Sequence, residues 1–106
     1  MGGEGQPQTQ VAMITRMLDF GYDMQQAIEA PRWLVGRTWG DESQDLWLEG
    51  RIPDPVVDEL ERLGQPVRML PDWNDNTGHA QGIRRTEEGF LEGGADPRGD
   101  GIALGY

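Results

Sequence analysis

The chain has no cysteine and no lysine: all nine of its basic residues are arginine, and it carries a single histidine. Without cysteine there is no disulfide, thiol nucleophile or cysteine metal site. The redox compartment is therefore left open. Without lysine there is no Schiff-base or lysine general-base chemistry, and His79 cannot build a metal site alone. Apolar residues are also scarce, at 36% of 106 residues, against 16 glycines and seven prolines. That is thin material for an independent core. No apolar run approaches the roughly 18–20 residues of a membrane span, and the polar, glycine-rich start lacks the charged and apolar regions of a signal peptide. The compartment stays undetermined, and neither a membrane nor a cofactor is expected.

Negative charge is abundant. The formal net charge is −10 and the isoelectric point near 4.3, with no basic run. This excludes a nucleic-acid partner, because phosphate-backbone binding depends on clustered cations that release counterions.

The pattern along the chain predicts one domain of mixed composition. After Gly2-Gly3-Glu4-Gly5-Gln6-Pro7, Val11, Ile14 and Leu18, with Met13 and Met17 beside them, have helical spacing, and Gly21 supplies a stop. Asp23 three residues before Gln26 is a capping-box start for a short helix through Ala27 and Ile28, closed by Pro31. Short strands are expected over Arg32–Val35 and Asp45–Glu49, the second alternating Leu46 and Leu48 against Trp47 and Glu49, with a Gly36–Gln44 loop between them. Asp54-Pro55 starts a helix whose stripe is Val56, Val57, Leu60 and Leu63 before Gly64. A strand within Gln65–Leu70 follows, then an exposed loop over Pro71–Gly78. A hairpin comes last, with arms His79–Arg85 and Phe90–Gly93 joined through Thr86-Glu87-Glu88-Gly89. The order predicts a mixed sheet covered by helices, an α/β or α+β fold.

Several segments carry a resemblance. Met1-Gly2-Gly3-Glu4-Gly5-Gln6-Pro7-Gln8, then Leu18-Asp19-Phe20-Gly21, Ala27-Ile28-Glu29-Ala30-Pro31-Arg32, Leu48-Glu49 and Leu63-Gly64 fall in order. Gly78-His79-Ala80-Gln81-Gly82-Ile83 and Gly93-Gly94-Ala95-Asp96-Pro97-Arg98-Gly99-Asp100-Gly101 complete the set. Together they resemble the C-terminal part of the small subunit of γ-glutamyltransferases (γ-glutamyltranspeptidases) across essentially the whole chain. The resemblance implies residues 1–106 as a C-terminal segment of an αββα N-terminal-nucleophile hydrolase, with a mixed, mainly antiparallel sheet. In that family a self-cleaved precursor exposes a threonine that attacks a γ-glutamyl amide, as in glutathione, and passes the acyl group to water or an amine. Two adjacent glycines supply backbone N–H groups to the oxyanion, and Gly2 and Gly3 stand at the matching positions. A fixed backbone donor beside a developing oxyanion is worth roughly 10²–10³ in rate, and glycine allows close approach.

The nucleophile has no match here. Thr9, Thr15, Thr38, Thr77 and Thr86 are internal, so none offers the free α-amino group that activates such a threonine. The chain is therefore expected to be a piece of a longer enzyme and inactive alone. Its expected partners are the remainder of that enzyme, namely the large subunit and the N-terminal part of the small subunit, and a γ-glutamyl or related amide substrate. Self-association through exposed apolar surface is also expected. Two alternatives stand beside this reading: a non-catalytic assembly or binding module, and a segment of a cephalosporin acylase-like amidohydrolase.

Other residues invite chemistry less strongly. Arg32 after Ala30-Pro31 and Arg98 after Asp96-Pro97 have the fork to hold a substrate carboxylate, but a rigid proline corner with carboxylates nearby favours a structural ion pair. His79 lacks a partnered nucleophile and reads as a polar strand-edge residue. Glu92, Asp96 and Asp100 lack the ligand alternation of a calcium loop and read as solvated loop carboxylates, so no metal is expected. Trp33, Trp39, Trp47 and Trp73 read as core or subunit contacts, with Trp47 packing inside the parent protein.

Overall fold

The computed structural model of the chain describes residues 3–36 and 42–106. Trp39, Thr38 and most of the predicted Gly36–Gln44 loop lie outside the described residues, as does Gly2. Among the described residues, three α-helices and five strands follow the predicted order. They are α1 (Gln6–Leu18), α2 (Met24–Glu29), β1 (Trp33–Val35), β2 (Leu46–Glu49), α3 (Asp54–Arg62), β3 (Val67–Leu70), β4 (Gln81–Arg85) and β5 (Leu91–Ala95). A single 3-10 turn, Asp75–Thr77, sits in the loop before β4.

Local chemistry explains the boundaries. Pro7 occupies the first turn of α1, where its missing N–H costs nothing. Asp23 accepts from Gln26 N at 2.7 Å while the Gln26 side chain accepts from Asp23 N at 3.0 Å, the reciprocal capping box at the start of α2. Gly89 turns the β4–β5 hairpin at a φ of 92°, a left-handed conformation that costs a glycine little.

The strands form two sheets. In the first, β1 pairs antiparallel with β2, and β2 pairs parallel with β3 through the α3 crossover. The second is the antiparallel β4–β5 hairpin. The arrangement is mixed and helix-covered, as expected, although the strands divide between two sheets. Helix α2 lies on the hairpin, and Met24, Ile28 and Ala80 form a small core that Met13 and Met17 of α1 complete.

Helix α1 faces this core with Thr9, Ala12, Met13 and Met17, so the predicted stripe points away: Val11 is 56% and Leu18 78% exposed. No residue of α3 is buried. Val56 and the C-cap Leu63 are exposed too, so this stripe does not close a core among the described residues. Both helices have an amphipathic period, and both present apolar surface outward.

Close approach sets one further constraint. A Cβ on Gly94 would stand 2.8 Å from Ile28 Cδ1 and 2.9 Å from Met24 Cγ, with the backbone N of Gln25 at 3.3 Å. Gly94→Val is therefore expected to lift α2 from the hairpin and to destabilise by about 1–3 kcal/mol, the usual cost of overpacking. Urea midpoints at constant slope are the check.

Candidate functional site

Gly2, one of the two residues expected to donate to an oxyanion, lies outside the described residues. The other, Gly3, is exposed in the turn that leads into α1, and its carbonyl accepts from Gln6 N at 3.0 Å. Apart from its chain neighbours, no described residue comes within 4 Å of where a Cβ on Gly3 would stand, so the space beside this backbone is open among the described residues.

The densest chemistry lies elsewhere, in a buried ionic cluster of Arg32, Glu49, Asp96 and Arg98. Arg32 follows the Pro31 corner, Glu49 ends β2, and Asp96 and Arg98 follow β5. Their side chains are at most 1% exposed. Arg32 Nη2 donates to Asp96 Oδ2 at 2.5 Å. Arg98 Nη1 donates to Asp96 Oδ1 at 3.0 Å, while Arg98 Nε and Nη2 grip Glu49 at 2.6 and 2.5 Å. That two-point grip is the bidentate geometry that favours arginine over lysine.

Backbone groups satisfy most of the rest, with Arg32 Nε left without a partner among the described residues. Glu49 accepts from Arg32 N at 2.8 Å and Asn74 N at 3.0 Å, and Asp96 accepts from Ala80 N at 2.7 Å and Arg98 N at 3.0 Å. The arginines donate to carbonyls of Ile28, Ala30, Thr77 and Gly78. One cluster thus ties together the end of α2, the Pro31 corner, β2, the loop before β4 and the chain after β5.

Burial alone would push the Glu49 carboxyl up, but the Arg98 hydrogen bonds, the Arg32 N–H and the charges of Arg98 and Arg51 outweigh it. The carboxyl is held below its ordinary range. Asp96 behaves likewise: desolvation is overcome by the N–H groups of Ala80 and Arg98 and by Arg32. Desolvation, followed by the charge of Arg98, lowers Arg32, whereas the Glu49 and Asp96 contacts more than offset burial and raise Arg98. Carboxylates so saturated and so acidic are poor proton acceptors near neutral pH. The cluster is a structural lock.

Arg51 and Trp73 close it from outside. The Arg51 guanidinium stacks 3.4 Å from the Trp73 ring centroid while donating to Glu49 Oε2 at 3.1 Å and to Glu29 O at 2.8 Å. Trp73 holds a φ of 53°, uncommon for a bulky residue. The cation–π stack offsets part of that strain.

The structure places Arg32 and Arg98 in the ion pairs expected of them. It corrects Asp96, which is fully buried at the centre of the cluster and not a solvated loop carboxylate; its neighbours' N–H groups and two guanidiniums replace the water. Glu92 is half-buried, paired with Arg84 and accepting from Met24 N at 3.0 Å, and Asp100 is exposed. His79 is exposed just before β4, its ring against Gly99. Trp33 and Trp47 are half-buried in the first sheet. Sequence reasoning missed Glu49, Arg51 and Thr77. Two signals could have found Glu49: the proline-corner arginines in need of buried carboxylates, and its place in the Leu48-Glu49 segment of the resemblance. Among the described residues no group of three or more His, Cys, Asp or Glu side chains could hold a metal ion, and no helix is long and apolar enough to cross a membrane.

The helix order and the mixed, helix-covered strands make an α+β segment, and the solved structures it matches are of the N-terminal-nucleophile hydrolase type. It superposes on a cephalosporin acylase from Bacillus halodurans with a TM-score of 0.83 and 32% identity, over 100% of this chain and 19% of that one. The chain belongs to the gamma-glutamyltranspeptidase family, whose sequence model matches residues 1–106. It is 56% identical over 104 residues to the glutathione hydrolase-like YwrD proenzyme of Bacillus subtilis, covering 98% of this chain and 20% of that protein. It is 49% identical over 106 residues to the oxamate amidohydrolase proenzyme of Klebsiella pneumoniae, covering 100% of this chain and 20% of the relative. The chain therefore spans about a fifth of the length of these curated relatives.

Proposed function

We propose that this chain supplies the oxyanion-binding segment of an amide-cleaving enzyme of this family, with Gly2 and Gly3 offering backbone N–H groups to the tetrahedral oxyanion. The nucleophile in this reading is an N-terminal threonine outside residues 1–106, and the substrate is a γ-glutamyl or related amide. The observation that carries the reading is the family match over all 106 residues, with the Gly2-Gly3 pair just ahead of α1 in sequence. The relatives named for glutathione and for oxamate share amide cleavage as a chemistry and differ in acyl group.

The same reading accounts for the outward apolar faces of α1 and α3, which the remaining parts of a proenzyme-length protein would cover. Alone, the chain is expected to self-associate through them, because a few hundred Å² of apolar burial at about 25 cal/mol per Å² is comparable with the stability of a small domain. Sedimentation equilibrium over a concentration series checks this, a sharp monomer throughout being the contrary result.

The test of function compares the 106-residue chain with a proenzyme-length protein carrying it, on γ-glutamyl anilide, glutathione and oxamate. The long protein is expected to turn over at least one of these amides and the short chain none, since oxyanion donors without a nucleophile give little rate. Turnover by residues 1–106 alone, or none by the long protein, overturns the reading.

A further inference from the structure

Strand β1 is an edge strand of its sheet, and an exposed edge leaves backbone groups unpaired. At Val35 both groups find the same side chain. Gln8 Nε2 donates to Val35 O at 3.0 Å, and Val35 N donates to Gln8 Oε1 at 2.7 Å. The primary amide thus presents the donor and acceptor that one residue of an adjoining strand would present. It joins positions 27 residues apart in sequence.

Gln8 sits in the first turn of α1, on the helix that begins three residues after Gly3. The next residue, Thr9, is buried, and its hydroxyl lies 3.4 Å from Thr77 O. Thr77 O in turn accepts from Arg32. The start of α1 is thus moored to β1 by one side chain and to the ion-locked core by the next. Gly3 joins that helix through the Gln6 N to Gly3 O bond and, among the described residues, has open space where a Cβ would stand. Its placement is inherited from α1.

We propose that Gln8 is a positioning residue for the oxyanion segment, its amide clamp on Val35 fixing the axial and rotational setting of α1 and through it the N–H group of Gly3. The proposal rests on the oxyanion reading above. Gln8 touches neither substrate nor reacting atoms in this scheme; it acts through the helix. Catalytic donors tolerate little displacement, a misplacement of about 1 Å being able to cost as much as 10²-fold.

The experiment uses a proenzyme-length protein carrying this segment, assayed on whichever of γ-glutamyl anilide, glutathione and oxamate the wild type turns over fastest. Gln8→Met keeps the length and removes both hydrogen bonds, Gln8→Asn shortens the clamp, and Gln10→Met, at an exposed position of the same helix, is the control. Both Gln8 variants are expected to lose roughly 10-fold or more in kcat with KM within about 3-fold, the mark of an interaction expressed in the transition state. Gln10→Met is expected to match the wild type. Amide hydrogen exchange over the first turn of α1 is expected to quicken in the Gln8 variants while the β4–β5 hairpin keeps its protection. Gly3→Val, run in parallel, separates the two ideas. If Gly3→Val lowers kcat and Gln8→Met does not, the positioning role is overturned and the oxyanion reading survives. If Gly3→Val leaves kcat unchanged, both fall. A kcat loss in the Gln8 variants that tracks a general loss of exchange protection also overturns the proposal, because the residue would then be supporting the fold at large.

Discussion

Replacing Glu49 by alanine is expected to cost about 3–5 kcal/mol, the usual result of leaving a buried charge without its partner. Arg98 would keep its contact with Asp96 but lose both hydrogen bonds to Glu49, and the N–H groups of Arg32 and Asn74 would lose their acceptor. Against an ordinary stability of about 5–15 kcal/mol, that loss is enough to unfold a small domain. Urea denaturation followed by near-UV circular dichroism of the tryptophans is the measurement. A midpoint within experimental error of the wild type would contradict the account. Arg98→Met is expected to be comparably severe, since it strips two carboxylates of a cation at once.

Acid should reproduce the effect by protonation. The Glu49 and Asp96 carboxyls are held below their ordinary values in the folded chain, so their contribution is fully present above the unfolded values of about 4. It is lost as pH falls below that range through the lower folded values, where the unfolded chain binds the extra protons. Glu49→Gln removes one of these groups, so the same acid titration of stability is expected to be shallower in that variant.

The second large effect concerns rate. In a proenzyme-length protein, Gly3→Val is expected to lower kcat by roughly 10²–10³, the value of one oxyanion donor, with a much smaller change in KM. The space beside Gly3 is open among the described residues, so the valine should not disturb folding here. It would instead intrude on the space through which substrate approaches the backbone and bias the dihedrals that aim the N–H. Steady-state kinetics decide the matter, and an unchanged kcat would remove Gly3 from the site.

Much of the architecture was legible in the sequence because it is written in local chemistry. The capping box at Asp23 and Gln26, the proline entry at Pro55 and the Gly89 turn all act within a few residues, and all stand where the pattern put them. The arginines behind Pro31 and Pro97 were also readable as ion pairs. Their partners were not. Glu49 ends an alternating strand on the side that period two assigns outward, and only the return of the chain at Asn74 and Arg98 buries it. Asp96 was misread for the same reason, its donors coming from positions as distant as Arg32 and Ala80. On α1 the pattern offered two apolar faces, Val11–Ile14–Leu18 and Met13–Met17. Periodicity alone could not choose between them, and contact with α2 selected the second.

The ionic lock also bears on the order in which the chain can settle during synthesis. Its members are spread from position 32 to position 98, and Arg98 reaches back 49 residues to Glu49 and 70 to the Ile28 carbonyl. A ribosome releases the arginine of the Pro31 corner and the glutamate of β2 long before it releases Asp96 and Arg98. Until those late residues emerge, burying the early charges would strand them unpaired, so the nascent segment gains by holding them in water. Closure thus waits for contacts far apart along the chain, the kind that are slow to form and leave apolar surface exposed in the interval. A nascent chain arrested before Arg98 would carry α1, α2 and the β4–β5 hairpin without the clasp that joins them, and would present itself to chaperones and proteases as unfinished.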